Sequence, residues 1–122
     1  MYEKATLFGA HEIAQQILNA KTQKECKALG RSRKINFDQV VWDREKERIF
    51  KSILFHKFYG SLRPTILDTG NLKFVEASPY DKIWGGCGLS ERDPKIHDEK
   101  NWTGQNLLGK CLDEVRAELR KL

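Results

Sequence analysis

The sequence predicts an α+β fold, mainly helical, in one domain spanning residues 1–122, with a small sheet that is incomplete within the chain. Three observations lead there. Apolar residues recur at helical spacing through most of the chain, and a single short segment alternates as a strand does. Hydrophobic residues make up 39% and charged residues 32%, the balance of a globular protein with a modest core.

The opening "MYEKATLFGAHEIAQQILNA" carries Ala5, Phe8, Ile13, Ile17 and Leu18 near helical spacing, interrupted by Gly9. Its pattern is already running at Tyr2, with no capping residue before it. "TQKE" is a capping box, with Thr22 as N-cap and Glu25 three residues on. It opens a short helix that Gly30 ends. "DREKERIFKSILFHKF" places Ile49, Phe50, Ile53, Leu54 and Phe58 on one face, with Asp43 as N-cap and Trp42 at the junction before it. A further short helix is expected from Ser61 to Thr69, with Pro64 in its first turn and Gly70 as its stop.

"NLKFVEAS" sets Leu72, Phe74 and Glu76 against Lys73, Val75 and Ala77, the alternation of a strand. Residues 78–104 read as a long Gly-, Pro- and Asp-rich loop, too long for a passive connector. The last helix, "NLLGKCLDEVRAELRKL", aligns Leu108, Cys111, Leu112, Val115 and Leu119. A lone strand cannot satisfy its own backbone groups. With the uncapped first helix, it predicts that a partner strand and a helix start lie outside the chain, upstream or in another subunit.

No apolar run reaches the roughly 18 residues of a membrane span, and the N-terminus lacks a signal-peptide plan. Three cysteines without paired spacing point to reduced thiols in the cytoplasm, and no zinc motif is present. The net charge of +5 favours anionic partners without specifying one. The local basic concentration is "GRSRK", residues 30–34, which contains Arg31.

Chemistry concentrates in "EASPYDKIWGGCGL". Tyr80 and Trp84, with Trp42, offer flat faces for a purine, flavin or nicotinamide ring. Asp81 and Glu76 are carboxylates suited to an oxocarbenium-like centre or to activating water. Gly85, Gly86 and Gly88 allow close ligand approach. The same stretch reads equally as a structural loop anchored by Trp84. Cys87 has no base in a recognisable motif and reads as a bystander, and the three histidines lack metal-ligand spacing. "GQNLLG" puts Gly104 and Asn106 at a helix start, where free amides bind phosphate or simply cap. Lys4, amid Ala5, Leu7 and Phe8, reads as a lysine able to lose its proton and attack a carbonyl carbon, or as one that snorkels.

In order, "YEKATLF", "AKTQKECKALGR", "VWDREKERI", "ILDTG", "VEASPYDKIWGGCGL" and "WTGQNLLGKCLDEVRAEL" resemble the NADAR domain family over essentially the whole chain. The resemblance implies N-glycosidase chemistry without a cofactor. Its substrates would be phosphorylated riboflavin-pathway intermediates or ADP-ribosylated guanine in DNA, cut between a base nitrogen and a ribose carbon. It implies Lys4 as a Schiff-base nucleophile, Asp81 as the acid/base or charge-stabilising carboxylate, and Trp42 and Trp84 as substrate walls. Gly85, Gly104, Asn106, Arg31 and Glu76 complete the implied ligand-binding set. Family members usually begin with short strands and an "E-H-Y"-type segment, whose glutamate would here fall before Met1. The expectation is therefore an N-terminally shortened form. The alternative to turnover is a catalytically weak module that binds ADP-ribose- or NAD-like nucleotides, alone, as a homo-oligomer, or with a missing N-terminal segment completing the sheet.

Overall fold

The computed structural model describes residues 1–122 as six α-helices and two 3₁₀ turns, without a strand. The helices are α1 (Tyr2–Leu7), α2 (His11–Asn19), α3 (Gln23–Gly30), α4 (Gln39–Tyr59), α5 (Arg63–Leu67) and α6 (Leu107–Arg120). Two compact units result, Met1–Ile49 and Phe50–Leu122.

In the first unit Gly9 ends a helix rather than interrupting one. At φ +70° it takes the left-handed conformation, and the amides of Gly9 and Ala10 reach back to the carbonyls of Thr6 and Ala5 at 3.0 and 2.9 Å. That is the Schellman arrangement, and it releases the chain into α2. The buried face of α2, Ile13, Ala14 and Ile17, packs with Ala5 and Ile35, while Tyr2, Phe8, Cys26 and Leu29 close the sides. Thr22 caps α3 as its sequence signals, its hydroxyl accepting the Glu25 amide at 3.1 Å. The Glu25 carboxylate in turn accepts the Lys21 amide at 2.9 Å.

Helix α4 starts earlier than its apolar face implies. Its cap is Asp38, whose Oδ1 accepts the amides of Val40 and Val41 at 2.9 and 3.2 Å. Asp43 lies inside the helix, bonded to Gln39 and Lys46 side chains, and Trp42 lies within the first turns. Helix α5 is shorter than Ser61–Thr69, but Pro64 does occupy its first turn.

In the second unit α6 supplies Cys111, Val115 and Leu119, one face at i, i+4 and i+8, to a core with Leu54 and Ile66. Its arginines tie down the chain after α5. Arg116 donates to Thr69 Oγ1 and the Leu72 carbonyl at 2.9 and 2.7 Å and lies 4.7 Å from the Phe74 ring centre. Arg120 holds Asn71 and the Gly70 carbonyl, and Arg63 donates to the carbonyls of Leu119 and Leu122.

The expected strand is the main correction. Residues 73–79 are neither helix nor strand, and residues 1–122 form no sheet among themselves. Side chains of α6 and its cap, together with loop amides, meet backbone needs of Phe74 and Glu76 instead. The Asn106 carboxamide donates from Nδ2 to the Phe74 carbonyl at 2.8 Å and accepts the Glu76 amide on Oδ1 at 3.2 Å. A primary amide bridging a carbonyl and the amide two residues on reproduces what one residue of a parallel neighbour would provide. The Phe74 amide goes to Asp113 Oδ1 at 3.4 Å. Phe74 also joins the α6 core, so the alternation in the sequence records a segment laid on a helix.

Candidate functional site

Lys4 sits on α1, half-buried, beside the α3 terminus. Its Nζ donates to the Gly30 carbonyl at 2.8 Å and lies 4.8 Å from the Phe37 ring centre and 6.0 Å from that of Trp42. Phe37 is itself stacked edge-on against Phe8 at 5.2 Å. Lys4, Arg31, Arg33 and Phe37 help line a cleft of about 330 Å³. Burial, first, and the Arg31 charge, second, lower the lysine pKa below its usual 10.5. An amine that sheds its proton more readily is a better nucleophile. The first unit therefore unites three expected residues, Lys4, Arg31 and Trp42. Phe37 and Arg33 were not expected, although Arg33 belongs to the basic "GRSRK" run. Phe37 stands among polar neighbours in "INFDQ", and no spacing signals it.

The second unit holds Glu76, Asp81, Trp84, Gly85, Gly104 and Asn106. Ser78 and Asp81 shape the loop tip. Ser78 Oγ accepts the Asp81 amide at 3.0 Å, and Asp81 Oδ1 accepts the amides of Ile83 and Trp84, both at 3.0 Å. Trp84 is half-buried, its ring 4.7 Å from that of Phe50. Tyr80 projects from the tip, 93% exposed.

Behind the tip, six consecutive carbonyls, residues 82–87, each accept one amide from residues 103–108, at 2.7 to 3.4 Å. Those amides include the Gly104 N–H and the first amides of α6, so the groups that a phosphate would seek at this helix start are spent on Lys82 to Cys87. Close approach explains the glycines. A Cβ on Gly104 would strike the Gly85 carbonyl, and one on Gly86 would meet the Asn106 side chain at 2.5 to 2.7 Å. Asn106 itself has φ 53° and ψ 45°, the one non-glycine residue with positive φ. Alongside lies a cleft of about 310 Å³ lined in part by Phe74, Trp102, Asn106 and Lys110.

Cys87 is fully buried, its thiol donating to the Leu89 carbonyl at 3.0 Å. None of the three cysteines forms a disulfide, and no group of His, Cys, Asp or Glu is arranged to hold a metal. No helix is long and apolar enough to cross a membrane.

Residues 1–120 match the family model described as the NADAR domain. Among known proteins, the chain is 40% identical over 122 residues to Protein irg-1 of Caenorhabditis elegans, covering 98% of this chain and 57% of that protein. It is 41% identical over 120 residues to N-glycosidase R617 of Acanthamoeba polyphaga mimivirus, covering 97% and 69% respectively. Over 127 residues it is 37% identical to N-glycosidase Npun_R5314 of Nostoc punctiforme, covering 99% and 72%.

Proposed function

Because the chain belongs to the NADAR domain family, we propose that it is an N-glycosidase cutting the bond between a base nitrogen and a ribose carbon in an ADP-ribose-like or ribosyl-phosphate substrate. Two relatives named N-glycosidase support the reaction class. The observation that carries the reading on this chain is Lys4, a lysine of lowered pKa on a cleft with two arginines.

In the proposed reaction the neutral Lys4 amine forms a bond to ribose C1′ as the C1′–N bond to the base breaks. The departing base leaves with a proton. The lysine nitrogen then forms a double bond to C1′ as the C1′–O4′ bond breaks and O4′ takes a proton. Water adds to C1′ of this protonated imine, which restores the amine and releases the ribosyl product as its aldehyde. Arg31 lines the cleft and suits a phosphate, and the Phe37 and Trp42 rings provide faces for the base. Asp81 keeps Oδ2 available as a carboxylate while Oδ1 fixes its loop. The choice between ADP-ribosylated guanine in DNA and phosphorylated riboflavin intermediates belongs to the assay, since both present a ribosyl C1′–N bond and phosphate.

Borohydride added during incubation with an ADP-ribosylated guanine oligonucleotide, or with a phosphorylated ribosylamino-pyrimidine, should trap a covalent adduct on the peptide containing Lys4. Lys4→Ala should lose the adduct and slow base release by at least ~10³-fold. An undiminished rate in that variant overturns the role of Lys4. A second reading, a module that binds ADP-ribose- or NAD-like nucleotides without turnover, draws on the Lys4–Gly30 bond, since a tethered cation serves affinity. Binding heat with ADP-ribose and no released base would favour it.

A further inference from the structure

The first unit fixes one large apolar side chain in place without burying it. Phe37 is 40% exposed and takes no part in the cluster around Ala5 and Ile17. On one side of it Ile35 is buried in that cluster, and the Ile35 carbonyl accepts the Phe37 amide at 2.8 Å. On the other side Asp38 is held as the cap of α4. The ring stands edge-on to Phe8, with centres 5.2 Å apart, and tilted against Trp42 at 6.5 Å. A ring so braced and so little buried is held for a face rather than for its volume.

What that face meets is the Lys4 ammonium, 4.8 Å from the ring centre. This cation is half-buried and has few partners. No acidic residue and no histidine lines its cleft, and the charged side chains that do, Arg31 and Arg33, carry the same sign. Asp38, next to Phe37, is spent on the α4 cap, and Glu3, beside Lys4 on α1, does not line the cleft. A charge withdrawn from water calls for compensation. The Gly30 carbonyl accepts one ammonium proton at 2.8 Å, and an ammonium has three to place. The negative face of an aromatic ring attracts a cation at the Phe37 distance, whereas Trp42, at 6.0 Å, stands at the limit of that attraction.

We propose that Phe37 is a positioning residue for Lys4, its ring face clamping the ammonium against the Gly30 carbonyl so that Nζ is held at the cleft with its charge partly compensated. Burial and Arg31 drive the proton off, and the ring opposes them. The balance sets how much neutral amine stands ready at a given pH. The contact itself is independent of the N-glycosidase reading; its use in the reaction rests on that reading.

The test replaces Phe37 in the whole chain by 4-fluoro-, 3,5-difluoro- and 3,4,5-trifluorophenylalanine, which weaken the negative face of the ring while keeping its shape. Carbon-detected NMR titration of the Lys4 Cε resonance should report a pKa that falls with each fluorine, by ~0.5 over the series. Phe37→Leu, which keeps an apolar cover without a π face, should match the trifluorinated protein. A ring that only excludes water gives no trend, so an unmoved or rising pKa across the fluorinated series overturns the proposal. Should Phe37→Leu fail to fold, the fluorinated series, which keeps the packing, still decides. Below the pKa the neutral fraction grows as the pKa falls, so borohydride trapping on Lys4 with the substrates named above should quicken ~3-fold at pH 7. The pKa trend with equal trapping rates overturns the use of the contact in the reaction. The trend with no adduct in any of these proteins leaves the contact standing and defeats the hydrolase reading, and adducts in all of them without the trend do the reverse.

Discussion

Lys4 shows how one side chain couples the fold to the chemistry. The folded state sheds its proton at lower pH than the unfolded chain, because burial and Arg31 both disfavour the cation. Below the folded pKa both states are protonated and Lys4 costs stability. That cost is relieved as pH rises through the folded value toward 10.5, where the unfolded chain also deprotonates. Arg31→Gln removes the smaller cause and leaves burial in place. The Lys4 pKa should therefore rise part of the way back, and the alkaline-going limb of the pH–rate profile should move to higher pH with it. Carbon-detected NMR titration of the lysine Cε resonances measures the first effect, and an unmoved Lys4 resonance would contradict it. At this scale the sequence exposed Lys4, a cation among Ala5, Leu7 and Phe8. It could not expose Phe37, whose place over the ammonium is created by the turn between α3 and α4.

Among the elements, those whose signals are local were readable. Thr22 and Glu25 lie within one turn of each other, and α3 starts where they say. Helix α4 defeated the same logic because its true cap, Asp38, precedes Val40, which is 75% exposed and adds nothing to an apolar stripe. The segment around Phe74 and Glu76 was misread because its hydrogen-bond partner is a side chain 30 residues away from Glu76. Gly109 makes this tertiary dependence testable. In an ordinary helix interior, Gly→Ala gains about 1 kcal/mol. In α6 the new methyl would run into the Phe74 carbonyl and the Asn106 carboxamide. Gly109→Ala should instead cost about 1–3 kcal/mol in urea unfolding, as overpacking does. A stabilised variant would show that the contact of α6 with residues 74–76 is looser than described.

For the molecule as a whole, each compact unit has its own buried cluster, one around Ala5 and Ile17 and one around Val115 and Leu119. Leu119 is fully buried, and Leu119→Ala should cost about 2–5 kcal/mol in urea unfolding. A loss below 1 kcal/mol would mean the cluster collapses around the gap. Helical periodicity made most of the α6 side of this core legible. The fastening of residues 82–87 to 103–108 was not, since main-chain pairing outside regular structure leaves little trace in side-chain pattern. That fastening changes what the intervening stretch is for. Clasped at both roots, residues 88–102 form a detour whose continuity does not hold the register of the parts it joins. A backbone cut at the exposed Glu91–Arg92 junction would leave two fragments still matched carbonyl for amide. It is the natural place to splice in a foreign module, or to divide the chain into complementing halves.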